Sequence, residues 1–171
     1  MNPKKRMSKI RQDCGVISDS SGNLYGTTFS GGRAGAGVLY KIDTSGHETV
    51  LYNFTGGSDG GYPCAGVIRD SAGNFYGTTL RGGTAGAGVV YKLDAGGHET
   101  VPYNFTGGAD GAYPQAGVIR DSEGNLYGTA ILGGLQGGGG VLYKLDSAGN
   151  FYRTTTYGGK SRGVVYKLKP Q

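Results

Sequence analysis

The stretch GVIRDSAGNFYGTT, residues 66–79, has two near-copies in the same chain: GVISDSSGNLYGTT at residues 15–28 and GVIRDSEGNLYGTA at residues 117–130. The spacing is 51 residues both times. A strict period of this length marks a stacked repeat, in which a unit too small to bury its own apolar face packs on its neighbours. Residues 15–65 and 66–116 differ at 14 of 51 positions, mostly by exchanges such as Leu39 for Val90 or Ile42 for Leu93, as expected of recent duplication.

Working outward from residues 66–79, one unit divides into four short strand-like runs: GVIRD, FYGTT, GVVYKLD and ETVPYNF. The turns SAGN and AGGH place glycine where a tight hairpin needs positive φ, and Asp70 stands where its carboxylate can bond turn amides. Val89, Tyr91 and Leu93 alternate onto one face of the third run, and Val101, Tyr103 and Phe105 are expected on one face of the fourth. Pro102 replaces Leu51 of the first unit, and proline within a sheet belongs at an edge or a bulge, which puts the fourth strand at the outer edge. Four strands per unit make a propeller blade. No helical periodicity runs for ten residues, so the expected fold is all-β: tandem four-stranded antiparallel blades forming a partial, open β-propeller of about three and a half blades.

The third unit breaks the pattern. After VLYKLD the chain runs from Asp146 directly into SAGNFYRTTTYGGKSRGVVYKL, and 27 residues of the regular sequence, a fourth strand and the next first strand, are missing. The expected organisation is therefore a basic, disordered tail over 1–13 and a repeat domain over 14–171, with units 15–65, 66–116 and 117–146 and a truncated unit 147–168. FYRTTTY would serve as the last strand of the third blade, followed by a final GVVYKL strand.

Composition narrows the function classes. The chain has 171 residues, 37 of them glycine, and a formal charge of +5. Five of its 17 basic residues, Lys4, Lys5, Arg6, Lys9 and Arg11, lie in the first eleven positions, leaving 12 against 12 acidic residues in near-neutral repeats. Nucleic-acid binding is not expected of such repeats. No run of ten apolar residues provides a signal-peptide core or a membrane span. Cys14 and Cys64 have no counterparts in the other units, so they form neither a disulfide framework nor a zinc pattern.

The combination of GVIRDSAGNFYGTT, a GG-rich loop, GVVYKLD, a turn with HETV, and YNFTGGxDGxYP resembles the GloVer repeat of choice-of-anchor tandem repeat proteins, from residue 14 to about 168. The D-x-x-G-N-x-Y core is also similar, in architecture only, to blades of NHL-type propellers. The GloVer resemblance implies a bacterial, secreted or surface-anchored protein with a propeller-like fold and no assigned activity, and it carries over no catalytic residue. Proteins of that family usually have an export signal, a C-terminal anchor and more repeats, so the chain is expected to be a fragment, a truncated gene product or a decayed paralogue.

Several motifs touch on chemistry. Gly56-Gly57-Ser58-Asp59-Gly60 matches G-x-S-x-G, but no helix is expected after it and Ala109 replaces the serine in the next unit. His47-Glu48 and His98-Glu99 could form acid–base pairs, yet the third unit lacks both and the setting is a hairpin turn. Asp59 and Asp110 lie in TGGxDGxYP loops whose carbonyls could join a carboxylate around calcium, but one acidic residue per loop is too few and an Asp-Gly turn accounts for them. The runs GGTAGAG and GGLQGGGG lack the GK[ST] ending of a phosphate loop. The sequons at Asn53 and Asn104 arise from the repeat itself. Tyr62 and Tyr113, beside Pro63 and Pro114 in loops joining blades, could present a ring to a glycan or peptide.

The reading is a non-catalytic binding scaffold with loop candidates Tyr62, Tyr113, Asp59 and Asp110, no cofactor and no metal. Its rivals are a propeller enzyme with an axial site and a remnant without a function of its own. Partners follow from the arc: further repeats, or self-association that completes a ring, with Val16 and Tyr25 exposed at one end and Val164 and Tyr166 at the other. Far-ultraviolet circular dichroism is expected to show β structure with no helix beyond about two turns outside residues 1–13; a helix-dominated spectrum would overturn the fold class.

Overall fold

A computed structural model describes residues 15–134 and 139–155, together with the backbone of 164–168. Residues 1–13, Cys14, and the side chains of Val164 and Tyr166 lie outside the described residues. Three antiparallel sheets follow one another along the chain. Blade 1 contains β1 (Ile17–Ser18), β2 (Leu24–Thr28), β3 (Val38–Ile42) and β4 (Glu48–Asn53). Blade 2 contains β5 (Ile68–Arg69), β6 (Phe75–Thr79), β7 (Val89–Leu93) and β8 (Glu99–Asn104). Blade 3 contains β9 (Ile119–Arg120), β10 (Leu126–Ala130), β11 (Val141–Leu145), β12 (Phe151–Thr155) and β13 (Val164–Leu168). Each sheet is a meander in sequence order, and no helix occurs among the described residues. The fold is all-β, an open propeller-like row of blades. FYRTT indeed supplies the fourth strand of blade 3, and the final VVYKL strand pairs with it as a fifth strand of the same sheet.

The turn between the first two strands explains why these residues form a hairpin. The Asn74 backbone and side-chain amides donate to Asp70 Oδ1 and Oδ2, each at 2.9 Å, and the Tyr76 hydroxyl donates to Oδ2 at 3.0 Å. One carboxylate thus fixes the turn and the first residues of the returning strand. Asp19, Asp121 and Asp146 repeat the arrangement with Asn23 and Tyr25, Asn125 and Tyr127, and Asn150 and Tyr152. At Asp19 and Asp121 the asparagine side-chain bond is the leading cause of carboxyls lowered to about 2. At Asp70 burial works upward, and the Asn74 and Tyr76 bonds outweigh it to give about 2.

Blades bury themselves against each other. One core joins blades 1 and 2 through Tyr25, Leu39, Phe54, Phe75, Val89, Tyr91 and Leu93; another joins blades 2 and 3 through Tyr76, Val90, Phe105, Val118, Tyr143, Leu145 and Phe151. Phe54 meets Tyr91 edge-on at 4.9 Å, and Phe105 meets Tyr143 likewise at 5.3 Å. The Thr27 hydroxyl donates to the Ala65 carbonyl and the Thr78 hydroxyl to the Ala116 carbonyl, both at 2.9 Å. At the inner edge the first strands converge so closely that a Cβ on Gly66 would lie 2.8 Å from the Gly15 carbonyl oxygen. Only glycine fits there.

Two sequence expectations are corrected. Val101 packs toward blade 1, whereas Tyr103 and Phe105 pack toward blade 3. The cause is a β-bulge: Val90 pairs with Tyr103 but Lys92 pairs with Thr100, so Val101 and Pro102 together oppose Tyr91. An extra residue reverses the alternation of everything beyond it. Pro102 therefore sits at a bulge as well as on an edge strand. Tyr25, in turn, is not exposed at the end of the arc but buried, its ring 5.0 Å from Phe75 of the next blade.

Gly73 sits at φ 87° in the Asp70 turn. Gly73→Val is expected to cost about 1–2 kcal/mol through the left-handed backbone, whereas Ala72→Val on the exposed neighbouring position should change stability by less than about 0.5 kcal/mol. Urea denaturation of the two variants checks the difference.

Candidate functional site

The sequence candidates Asp59, Tyr62, Asp110 and Tyr113 all fall in the segments that carry the chain from one blade to the next. In the first, Asp59 Oδ2 accepts from the Thr55 backbone amide at 2.8 Å and from the Tyr52 hydroxyl at 3.1 Å, while Oδ1 accepts from the Thr55 hydroxyl. Asp110 repeats these bonds with Thr106 and Tyr103. Both carboxylates are buried and face their own loop. No cluster of three potential metal ligands occurs among the described residues. The nearby phenols are raised above their ordinary range, Tyr52 and Tyr103 alike, first by burial and then by the charge of the aspartate.

The same loops stitch neighbouring blades. Gly61 and Arg81 exchange backbone hydrogen bonds at 2.8 and 3.1 Å, and Ala112 and Leu132 repeat the exchange at 2.9 and 3.2 Å. Tyr62 and Tyr113 follow at φ 59° and 56°, the two non-glycine residues with positive φ among those described. Their amides donate to the Ala36 and Ala87 carbonyls at 2.7 and 2.8 Å. Each ring is half-buried: Tyr62 lies 5.3 Å from Phe29, and the Arg81 guanidinium lies 6.0 Å from the centre of Tyr113. The left-handed backbone, of order 1–3 kcal/mol above an ordinary conformation, is held by these bonds.

At the opposite, hairpin-turn end of the joint between blades 1 and 2 lies a cleft of about 370 Å³ lined by Tyr25, Lys41, Arg69, Phe75 and Asp94 among others. The Arg69 guanidinium sits 5.4 Å from the Tyr25 ring centre and 5.6 Å from that of Phe75, bridging the two blades. Arg69 also lines a second cleft beside Asp19 and Asp70. These residues escape a linear reading because Tyr25, Lys41 and Arg69 come from three strands of two units; the arginine of GVIRD was the available signal.

The other sequence motifs stay apart. Ser58 is exposed in a turn with no helix after it. His47 is exposed, and His98 Nδ1 lies 3.4 Å from the carboxylate of its own turn, Asp94. Glu99 stands half-buried beside the joint. Burial first, and then the charge of Asp59, raises its carboxyl from 4.5 to about 7.

A model of the Gloeobacter/Verrucomicrobia repeat matches residues 5–150 of the chain. No curated protein matches it.

The Glu99 shift has a definite sign. Between pH 4.5 and about 7 the folded protein holds a proton that the unfolded chain has released, so stability falls as pH rises through that window. Glu99→Gln is expected to remove this fall, raising the melting temperature at pH 8 by about 2–4 °C and leaving it unchanged near pH 4. Calorimetric scans at the two pH values check it.

Proposed function

Because the chain belongs to the Gloeobacter/Verrucomicrobia repeat family, we propose that it serves as a non-catalytic interaction scaffold at a cell surface or outside the cell, holding a glycan or peptide at its blade joints. The observation that carries this reading is the cleft between blades 1 and 2, where the edges of Tyr25 and Phe75, the cations Lys41 and Arg69 and the carboxylate of Asp94 border one groove. Aromatic surface beside opposite charges suits an extended polar ligand with apolar faces, as sugars and peptides are. The half-buried rings of Tyr62 and Tyr113 offer a second row of contacts at the loop end of the same joints. Asp59 and Asp110 support that row from beneath by fixing the loops.

Glycan and peptide arrays probed with the labelled chain test the reading. Binding to a member of either array is expected, with Lys41→Ala weakening it about tenfold, the loss of one charge-assisted hydrogen bond. Sensitivity to Tyr62→Ala instead would move the ligand to the loop end. Two blank arrays, or binding indifferent to both substitutions, would overturn the proposal.

A further inference from the structure

The joint between blades occurs twice inside the molecule, and residues equivalent to those of both its halves are exposed at the two ends of the row. On the trailing face of blade 3, Leu142 is 53% exposed, whereas the residues at the same register, Leu39 and Val90, are 0% exposed under the next blade. Ile119 is 70% exposed on β9, while Ile17 and Ile68 are packed into the joints. Thr129 is exposed, where Thr27 and Thr78 are buried and bonded to the following blade. On the leading face of blade 1, Val16 is 56% exposed against 2% and 3% for Val67 and Val118, and Leu24 is exposed where Phe75 and Leu126 are buried.

We propose that the trailing face of blade 3 docks onto the leading face of blade 1 of a second copy of this chain, in the manner of the two internal joints. Each open face is one half of an interface whose other half the same chain presents at its opposite end. Two copies joined head to tail at both ends would set six blades in a ring, within the four to eight of known propellers, and would leave neither half uncovered. The contact is heterologous, and closure at two copies keeps it from propagating into a filament. This inference does not depend on the ligand proposed for the clefts.

The intermolecular joint differs from the internal ones in one respect. Arg69 and Arg120 each place a guanidinium 5.4 Å from the ring centre of a tyrosine on the preceding blade, Tyr25 and Tyr76. The corresponding residue of blade 1 is Ser18, which would face Tyr127 of the other copy with no charge to offer.

Light scattering coupled to size exclusion, on the full chain at tens of micromolar, tests the proposal. The expected mass is twice 17.6 kDa. Leu142→Asp and Val16→Asp, on opposite faces, should each yield monomers with unchanged circular dichroism. Mixing the two variants should restore a weaker dimer, since one intact half remains on each. Ser18→Arg, which adds one cation–π contact at each of the two joints, should tighten association about five- to thirtyfold. A wild-type monomer would overturn the proposal, as would a dimer broken by only one of the two aspartate variants, which would indicate a face pairing with itself. A mass beyond the dimer would overturn the closed ring, and a dimer unaffected by both substitutions would place the contact elsewhere.

Discussion

A sheet of four short strands has two faces and can bury neither by itself, so each blade depends on the one beside it. This constraint organises the chain. In blade 2 the consecutive residues Val89, Val90 and Tyr91 are all fully buried, because the odd positions face blade 1 and the even one faces blade 3. Blade 3 has one neighbour, and on the same strand there Leu142 is exposed between the buried Val141 and Tyr143. The apolar side chains of the repeat thus acquire their environment from position in the row, although their sequence is nearly the same.

The polar residues of the repeat serve that packing. Asp70 and its equivalents fix the hairpin that opens each blade, and Asp59 and Asp110 fix the loops that close it. Each carboxylate collects a backbone amide and a tyrosine hydroxyl, so each ties a turn to a strand whose other groups lie in a joint. A residue type that sequence analysis associates with acid–base or calcium chemistry is here part of the frame. The proposed ligand contacts fall instead on side chains that border the joints, Lys41 and the rings of Tyr62 and Tyr113.

Strand number, strand order and turn chemistry were legible in the sequence because they depend on neighbours within a few residues: Asp70 and Gly73 announce their hairpin, and Pro102 its edge. The faces of the fourth strand were not. One bulge residue separates Val101 from Tyr103, and a bulge in β8 has no marker beyond the proline itself. The burial of Tyr25 was equally hidden, since its cover comes from Phe75 and Arg69 of the next unit. For the same reason the linear sequence pairs Glu99 with His98, its neighbour in the chain, and conceals Asp59, whose charge reaches it across the joint.

The two internal joints show what the irregular third unit changed. In a regular unit the fourth strand opens with glutamate, and Glu99 thereby brings a half-buried carboxylate up to Tyr52 and Asp59. In blade 3, where 27 residues of the regular sequence are missing, a second-strand segment, FYRTT, takes the fourth position at the usual five-residue step from Asp146. Phe151 then takes the place opposite Leu145 that Glu99 takes opposite Leu93. Its ring stacks on Tyr103 at 4.0 Å, and Arg153 two residues on is buried, its charge opposing that of Asp110 at the Tyr103 hydroxyl. An acid facing an acid in the first joint becomes an aromatic stack with a compensating cation in the second. The second joint therefore lacks the like-charge contact of the first. Repetition of a sequence repeats its strains along with its contacts, and departure from the repeat is where this molecule relieves one of them.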